Sequence, residues 1–191
     1  QAGTKRGWNP VTGNEPWLIY EVPGSSQATV VTKPAVIAAL LKKAAHPLIV
    51  VAHYADVPAN VPGSPVEIII RIADAGKTPV ITTPSTAPAF RKRGFNPAAT
   101  LSIMEIGSRL NDPEWIPGEN HQHPDLVLFI GFPYSMGWLL QSGLKSFAPK
   151  GMRFISIDQR YQPHCNLSFP NLSREEWITQ LNAIADEVSC T

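Results

Sequence analysis

The 191 residues contain only two cysteines, Cys165 and Cys190. Iron–sulfur clusters held by protein take about four Cys ligands, and structural zinc takes four Cys or His ligands in local pairs. With no CxxC, the chain by itself holds no ordinary cluster, and the sparse thiol count fits a reducing cytoplasm. Charge of one sign is also lacking: 16 Lys+Arg stand against 15 Asp+Glu, for a net charge of +1. That balance leaves no electrostatic footprint for nucleic acid or an anionic membrane surface. No apolar run reaches the roughly 18 residues of a membrane span, because Lys, His, Pro or Asp interrupts each one. Gln1 to Pro10 is polar and carries no signal-peptide core. The loud catalytic motifs are missing as well. There is no GxxxxGK[ST], no GxSxG elbow and no HExxH. No GxGxxG follows the first apolar run, which continues as His53-Tyr-Ala-Asp-Val-Pro-Ala-Asn, so a dinucleotide gripped on a glycine-rich turn is not expected.

What is present describes a globular domain. Apolar residues make up 43% and charged residues 16%, a composition that buries a core rather than staying disordered. A length of 191 residues fits one domain. The 19 prolines are not tandem; they punctuate. Pro34 and Pro65 fall in the first turn of expected helices, where the missing N–H costs nothing. Pro47 and Pro79 stand at the start of short apolar runs, as edge or leading strand positions allow.

Residues 1–30 read as an N-terminal arm and residues 31–191 as a single domain. The arm holds Gly3, Gly7, Pro10, Gly13, Pro16, Pro23 and Gly24 around Trp8, Trp17 and Tyr20, and no period of 2 or 3.6 persists in it. Its aromatics either lie in grooves of their own domain or meet a partner subunit, for which Trp8, Trp17 and Tyr20 are the candidate contacts.

From Thr32, which can cap a helix over residues 33–45, the pattern becomes regular. Val36, Ile37, Leu40 and Leu41 form one stripe. Residues 48–53 are a β-branched run suited to a strand buried on both faces. Ser64 and Glu67 have capping-box spacing and open a helix closed by Gly76. Residues 78–83 read as a strand, 87–93 as a short helix with the basic run Arg91-Lys-Arg93, and 101–110 as a helix. Residues 126–130 are the clearest strand, followed by a helix at 134–147, a strand at 153–158 and a short strand at 166–169. Ser173 and Glu176 form a second capping box, opening a terminal helix with Trp177, Ile178, Leu181, Ile184 and Val188 on one stripe.

Strands alternating with helices predict α/β architecture: a Rossmann-like, doubly wound parallel sheet with helices on both faces. The strands at 48–53 and 126–131 are expected side by side at the centre, where the winding reverses. Ligands of such sheets bind outside the carboxyl ends of the strands at that switch point. The candidate lining residues are His53, Tyr54, Gly131, Phe132 and Tyr134, with Thr83, Ser85, Asp158 and Arg160 nearby. Asp158 ends a strand, as a ribose-binding carboxylate would. With no glycine-rich loop beside it, capping of the following turn is the better reading.

Other polar groupings carry less. His121 and His123 would need further metal ligands that do not lie close in sequence. His164-Cys165 could form a polar cluster with Asp158, but a nucleophilic Cys needs a lowered pKa and a positioned base. A Cys165–Cys190 disulfide has no support in the pattern. Short basic runs such as 91–93 are usually solvated.

Several motifs then occur in a characteristic order. They are Lys43-Ala-Ala-His-Pro-Leu-Ile-Val-Val51, Asp112-Pro-Glu-Trp115, Asp125-Leu-Val-Leu-Phe-Ile-Gly131 and Leu144-Lys-Ser-Phe-Ala-Pro149, then Ile157-Asp158, Arg160-Tyr-Gln-Pro163 and Asn166-Leu-Ser-Phe-Pro-Asn-Leu172. Over residues 32–189 the chain resembles the epsilon subunit family of archaeal acetyl-CoA decarbonylase/synthase, the small subunits of its carbon monoxide dehydrogenase component. The resemblance implies a fold like the FAD/NAD domains of thiamine-diphosphate enzymes. It implies a non-catalytic subunit in anaerobic carbon metabolism, paired two-to-two with a large alpha subunit that carries the metal clusters. No cofactor is expected to bind the chain tightly, and FAD is expected at most transiently, at the crevice. The role implied is to stabilise the assembly or to help electrons reach FAD. The alternative is a flavin- or nucleotide-binding module acting on its own as a small enzyme. The arm and residues 117–124, with His121 and His123, depart most from the family pattern.

Overall fold

The computed structural model describes residues 27–56, 64–118 and 122–190. Two apolar runs build its centre. β2 (Pro47–Val51) and β5 (Leu126–Ile130) pair in parallel over five positions, from Pro47 opposite Leu126 to Val51 opposite Ile130. Every residue of β5 is buried, as is every residue of β2 after Pro47.

Alternation divides their side chains between two cores. Ile49, Val51, Leu126, Leu128 and Ile130 face one cluster with Ile37, Ile69, Ile72, Leu181 and Ile184. Leu48, Val50, Val127 and Phe129 face the other, with Ile106, Leu110, Leu140 and Leu144. One layer therefore holds α1 (Pro34–Lys43), α2 (Pro65–Gly76) and α6 (Arg174–Ser189), and the opposite layer α4 (Ile103–Asn111) and α5 (Tyr134–Phe147). Each fully buried aliphatic side chain contributes about 1.5–3 kcal/mol, so strands buried on both faces carry much of the stability.

The remaining strands are short. They are β1 (Thr29–Val30), β3 (Val80–Thr82), β4 (Ala99–Thr100), β6 (Arg153–Ser156) and β7 (Leu167–Ser168). The order is β1-β7-β6-β5-β2-β3-β4, and every pairing is parallel. Without β1, this is the doubly wound order in which winding starts at β2 and reverses between β2 and β5. The expected switch point is therefore the one observed. Residues 27–30, assigned to the arm by sequence, supply the edge strand β1: Thr29 N–H donates to Asn166 O at 3.0 Å and Val31 N–H to Ser168 O at 2.9 Å. Trp8, Trp17 and Tyr20 lie outside the described residues.

Local details differ from the sequence reading. α1 begins after Lys33, whose extended backbone is the N-cap and makes no side-chain cap, so Thr32 does not cap it. α2 ends at Gly76, but the left-handed reversal falls on Lys77 at φ 48, whose N–H reaches Ala73 O and Asp74 O. His53 leaves the strand for a 3-10 turn over His53–Asp56. α4 has a cap that the sequence reading missed, with Ser102 Oγ accepting from Glu105 N–H at 3.2 Å. Both expected Ser caps are made, and the full box forms at Ser173 and Glu176. The short helix α3 (Ala87–Arg91) is tied to α2 by Arg93, which bonds Glu67 Oε1 at 3.1 Å and Ser64 Oγ at 3.2 Å.

Among the described glycines, Gly131 leaves the least room for a side chain. It follows β5 at φ +79, and a Cβ there would sit 2.5 Å from Ala52 O and 2.5 Å from Ala55 N. Gly94 has a similar φ of +76 and nothing within 4 Å. Gly131→Ala is expected to cost about 1–3 kcal/mol more than Gly94→Ala, the difference being the clash. Urea unfolding of both variants measures it; equal losses would contradict the close approach.

Candidate functional site

The carboxyl ends of β2, β5 and β6 open into a cavity of about 290 Å³ lined by Tyr54, Gly131, Phe132, Tyr134, Asp158, Gln159, Arg160, Arg174 and Trp177. Parallel topology explains why these residues meet: each lies just after a strand or at the start of the following helix. The turn after β2 bears Tyr54, whose N–H donates to Gly131 O at 2.9 Å. The β5 turn supplies Gly131 and Phe132, and α5 starts with Tyr134.

The floor is Asp158, two residues beyond β6. Its Oδ1 accepts from the Gly131 N–H and, at 3.1 Å, from the Phe132 N–H. Its Oδ2 accepts from Ser156 Oγ at 3.3 Å. Successive N–H groups beside a left-handed glycine form an anion nest, and here the chain's own carboxylate fills it. Asp158 therefore braces the neighbouring β5 turn instead of capping its own. Burial pushes its carboxyl up to about 7, against the smaller lowering effect of the Phe132, Gly131 and Ser156 hydrogen bonds.

The positive groups lie nearer the mouth. Arg160 is exposed, and Arg174 is the partly buried first residue of α6. The Arg174 guanidinium stands 5.9 Å over the Trp177 ring. The indole N–H of Trp177 is anchored on Ile157 O at 2.7 Å. Gln159 is held by a bond from its Nε2 to Leu172 O at 3.1 Å.

Of the sequence candidates, Tyr54, Gly131, Phe132, Tyr134, Asp158 and Arg160 line this cavity. His53, Thr83 and Ser85 do not. His53 is exposed beside Tyr54, with ring centroids 5.8 Å apart. Thr83 follows β3, on the far side of β2 from β5, and its hydroxyl lies 3.2 Å from those of Ser85 and Thr86. Gln159, Arg174 and Trp177 were missed. The signal for Arg174 was available, because a helix that follows a parallel strand starts at the carboxyl edge of the sheet.

The other polar groupings lie outside this cavity. Cys165 and Cys190 are free thiols, one buried and one exposed. Burial and the nearby Asp158 charge push the Cys165 thiol well up, with Lys145 opposing, so it stays protonated. His164 packs edge-on to Trp138 at 4.6 Å, and burial, then Lys145, lowers its pKa. His123 is partly buried and His121 lies outside the described residues, among which no group of three or more His, Cys, Asp or Glu could hold a metal. No helix among the described residues is long and apolar enough to cross a membrane.

Residues 11–185 match the family described as CO dehydrogenase beta subunit/acetyl-CoA synthase epsilon subunit. The chain is 33% identical to the epsilon subunit of the acetyl-CoA decarbonylase/synthase complex of Methanothermobacter thermautotrophicus, covering 90% of this chain and 95% of that one. It is 32% identical to epsilon subunit 1 of the Archaeoglobus fulgidus complex, covering 89% and 90%. A solved Mycobacterium smegmatis protein, described as thiamin diphosphate-dependent, superposes with a TM-score of 0.46 at 17% identity, covering 83% of this chain and 28% of that one.

The Asp158 carboxyl makes stability depend on pH. Its folded pKa of about 7 lies above the ordinary 3.8, so the folded chain binds this proton more tightly than the unfolded one. The favourable contribution is complete below about pH 4 and is lost as the pH rises to about 7. Asp158→Asn keeps an acceptor for both N–H groups and cannot titrate. Denaturation between pH 4 and 8 should show wild-type stability falling by about 1.4 kcal/mol per unit of retained shift, with the variant flatter. Parallel curves would contradict the assignment.

Proposed function

The chain belongs to the CO dehydrogenase beta subunit/acetyl-CoA synthase epsilon subunit family, and from that premise we propose that it serves as a non-catalytic subunit stabilising a large, cluster-bearing partner. Likeness to epsilon subunits over almost the whole chain carries this reading. The cysteine arithmetic agrees with it, since two thiols cannot wire a cluster path. So does the α4–α5 face, where Met104, Leu139 and Phe147 are exposed among the described residues. The partner is the large alpha subunit, in a two-to-two assembly, and Trp8, Trp17 and Tyr20 of the arm supply contacts to it. Aromatic residues dominate interface energetics, and a Pro- and Gly-rich segment cannot bury three of them by itself.

A second reading assigns the crevice a flavin-handling role beside that partner. It is favoured by one observation: most of the switch-point candidates converge on a single cavity. The fit to FAD is partial. The nest that would hold a pyrophosphate is filled by Asp158. The cavity of about 290 Å³ stands at the lower end of the roughly 300–1,000 Å³ of small-molecule sites. Aromatic surface and two arginines suit part of such a ligand, not the whole in its usual pose. A stand-alone enzyme is the reading from a different class, and no catalytic set among the described residues supports it.

Native purification tests the first reading. The chain should copurify in equal numbers with a much larger chain, and alone it should be colourless and inactive toward CO. Isolation as a free monomer with its own turnover would overturn it. Deleting residues 1–20 is expected to abolish copurification while leaving the melting temperature of the isolated chain unchanged. The reverse pattern would place the arm on its own domain.

A further inference from the structure

The crevice has features that holding a partner together does not require. Arg160 and Arg174 both line it, and neither makes an ion pair among the described residues. The Arg174 guanidinium lies 5.9 Å over the Trp177 ring, whose indole N–H is anchored on Ile157 O, while Arg160 is exposed. α5 begins at this edge with no acidic residue in its first turn, so the positive end of its dipole adds to the two guanidinium groups; α6 also begins here, but Glu175 and Glu176 in its first turn offset its dipole.

The anion in the crevice, Asp158, lies beneath these groups and is bonded to Gly131, Phe132 and Ser156. It occupies the backbone nest, so an incoming anion must be held by the arginines. Guanidinium groups bind phosphate through two parallel N–H bonds, which two of them lining one cavity can do from two sides. The walls offer ring surface at Tyr54, half exposed at the rim, and at Phe132 and Tyr134. A cavity of about 290 Å³ has room for one ring system and one phosphate, near the lower bound for small-molecule sites.

We propose that the crevice binds a phosphate monoester of a planar ring system, of mononucleotide size, with its phosphate on Arg160 and Arg174 and its ring against Tyr54 and Tyr134. This rests on reading the crevice as a ligand site, and it narrows that reading in two ways. The phosphate sits on α6 and the β6 turn rather than in the Gly131 nest, and a terminal phosphate is recognised rather than a pyrophosphate bridge.

The test uses the full chain, alone and in its native complex. Titrations with FMN, riboflavin, AMP and adenosine are followed by tryptophan fluorescence and calorimetry. At least one phosphate ester should bind saturably, at least about tenfold more tightly than its phosphate-free counterpart, a difference of about 1.4 kcal/mol. The double variant Arg160→Gln/Arg174→Gln should lose at least that factor while keeping its melting temperature and its partner, and Arg160→Lys/Arg174→Lys should restore part of it. Equal affinity for FMN and riboflavin and for AMP and adenosine would overturn the proposal. So would no saturation by about 1 mM ligand in either the isolated chain or the complex. FAD binding that ignores the double variant would leave the flavin reading standing and remove this one. Loss of the large partner by the double variant, with no ester bound by wild type, would assign the arginines to an acidic protein surface and overturn the proposal too.

Discussion

A buried carboxylate, Asp158, holds the switch point together. It reaches from the end of β6 to the amides that begin the β5 turn, and Ser156 supports its second oxygen. Taking a carboxylate out of water is costly, and the fixed donors around it offset only part of that cost, so burial still pushes its pKa up to about 7. Those donors are available only because Gly131 adopts φ +79. The same glycine lets the backbone at Ala52 and Ala55 approach as closely as it does. The direction of α5 and the shape of the crevice therefore rest on one contact and one residue without a side chain. Phe129 and Phe132 meet edge-on at 5.6 Å just below, so the turn is also fixed from the apolar side.

The central sheet was readable because its determinants are local. β2 and β5 are continuous apolar runs, and a strand buried on both faces has no other way to look. The helices α2 and α6 announce themselves through Ser64, Ser173 and a 3.6-residue stripe. The edges were not readable. β1 and β4 are two residues each, too short for any period, and they exist because a neighbour offers unpaired groups: Asn166 and Ser168 for β1, Val80 and Thr82 for β4. The motif Arg160-Tyr161-Gln-Pro163 shows the same limit. Tyr161 donates its hydroxyl to Ala28 O at 2.9 Å, across 133 residues, and so pins β1 to the sheet; nothing near Tyr161 in sequence announces that partner.

The site was legible as a place more than as a chemistry. Topology located the crevice, and residues at the ends of β2, β5 and β6 fell into it. Thr83 and Ser85 were placed there on the same rule, but β3 lies on the other side of β2, and their hydroxyls bond one another. Arg174 and Trp177 were overlooked because the pattern that reveals α6 is its buried stripe. Trp177 belongs to that stripe and also to the cavity wall, a double use that periodicity does not separate. Asp158 was recognised as a strand-end carboxylate, yet the groups it serves lie 26 and 27 residues earlier.

Several of the described polar residues serve the fold. Cys165 is buried and protonated, Arg93 is spent on Glu67, and the strongly perturbed Asp158 carboxyl braces a turn. Among the described residues, Arg160 and Arg174 line the crevice without an ion pair. The central claim, that Asp158 fills the anion nest and shapes this mouth, is tested most directly by carbon-13 NMR titration of its carboxyl in the isolated chain, read together with the Gly131 and Phe132 amide signals. The account predicts a midpoint near 7, with both amides moving in step and exchanging slowly. A midpoint close to the ordinary 3.8, or amides that exchange freely and ignore the titration, would contradict it.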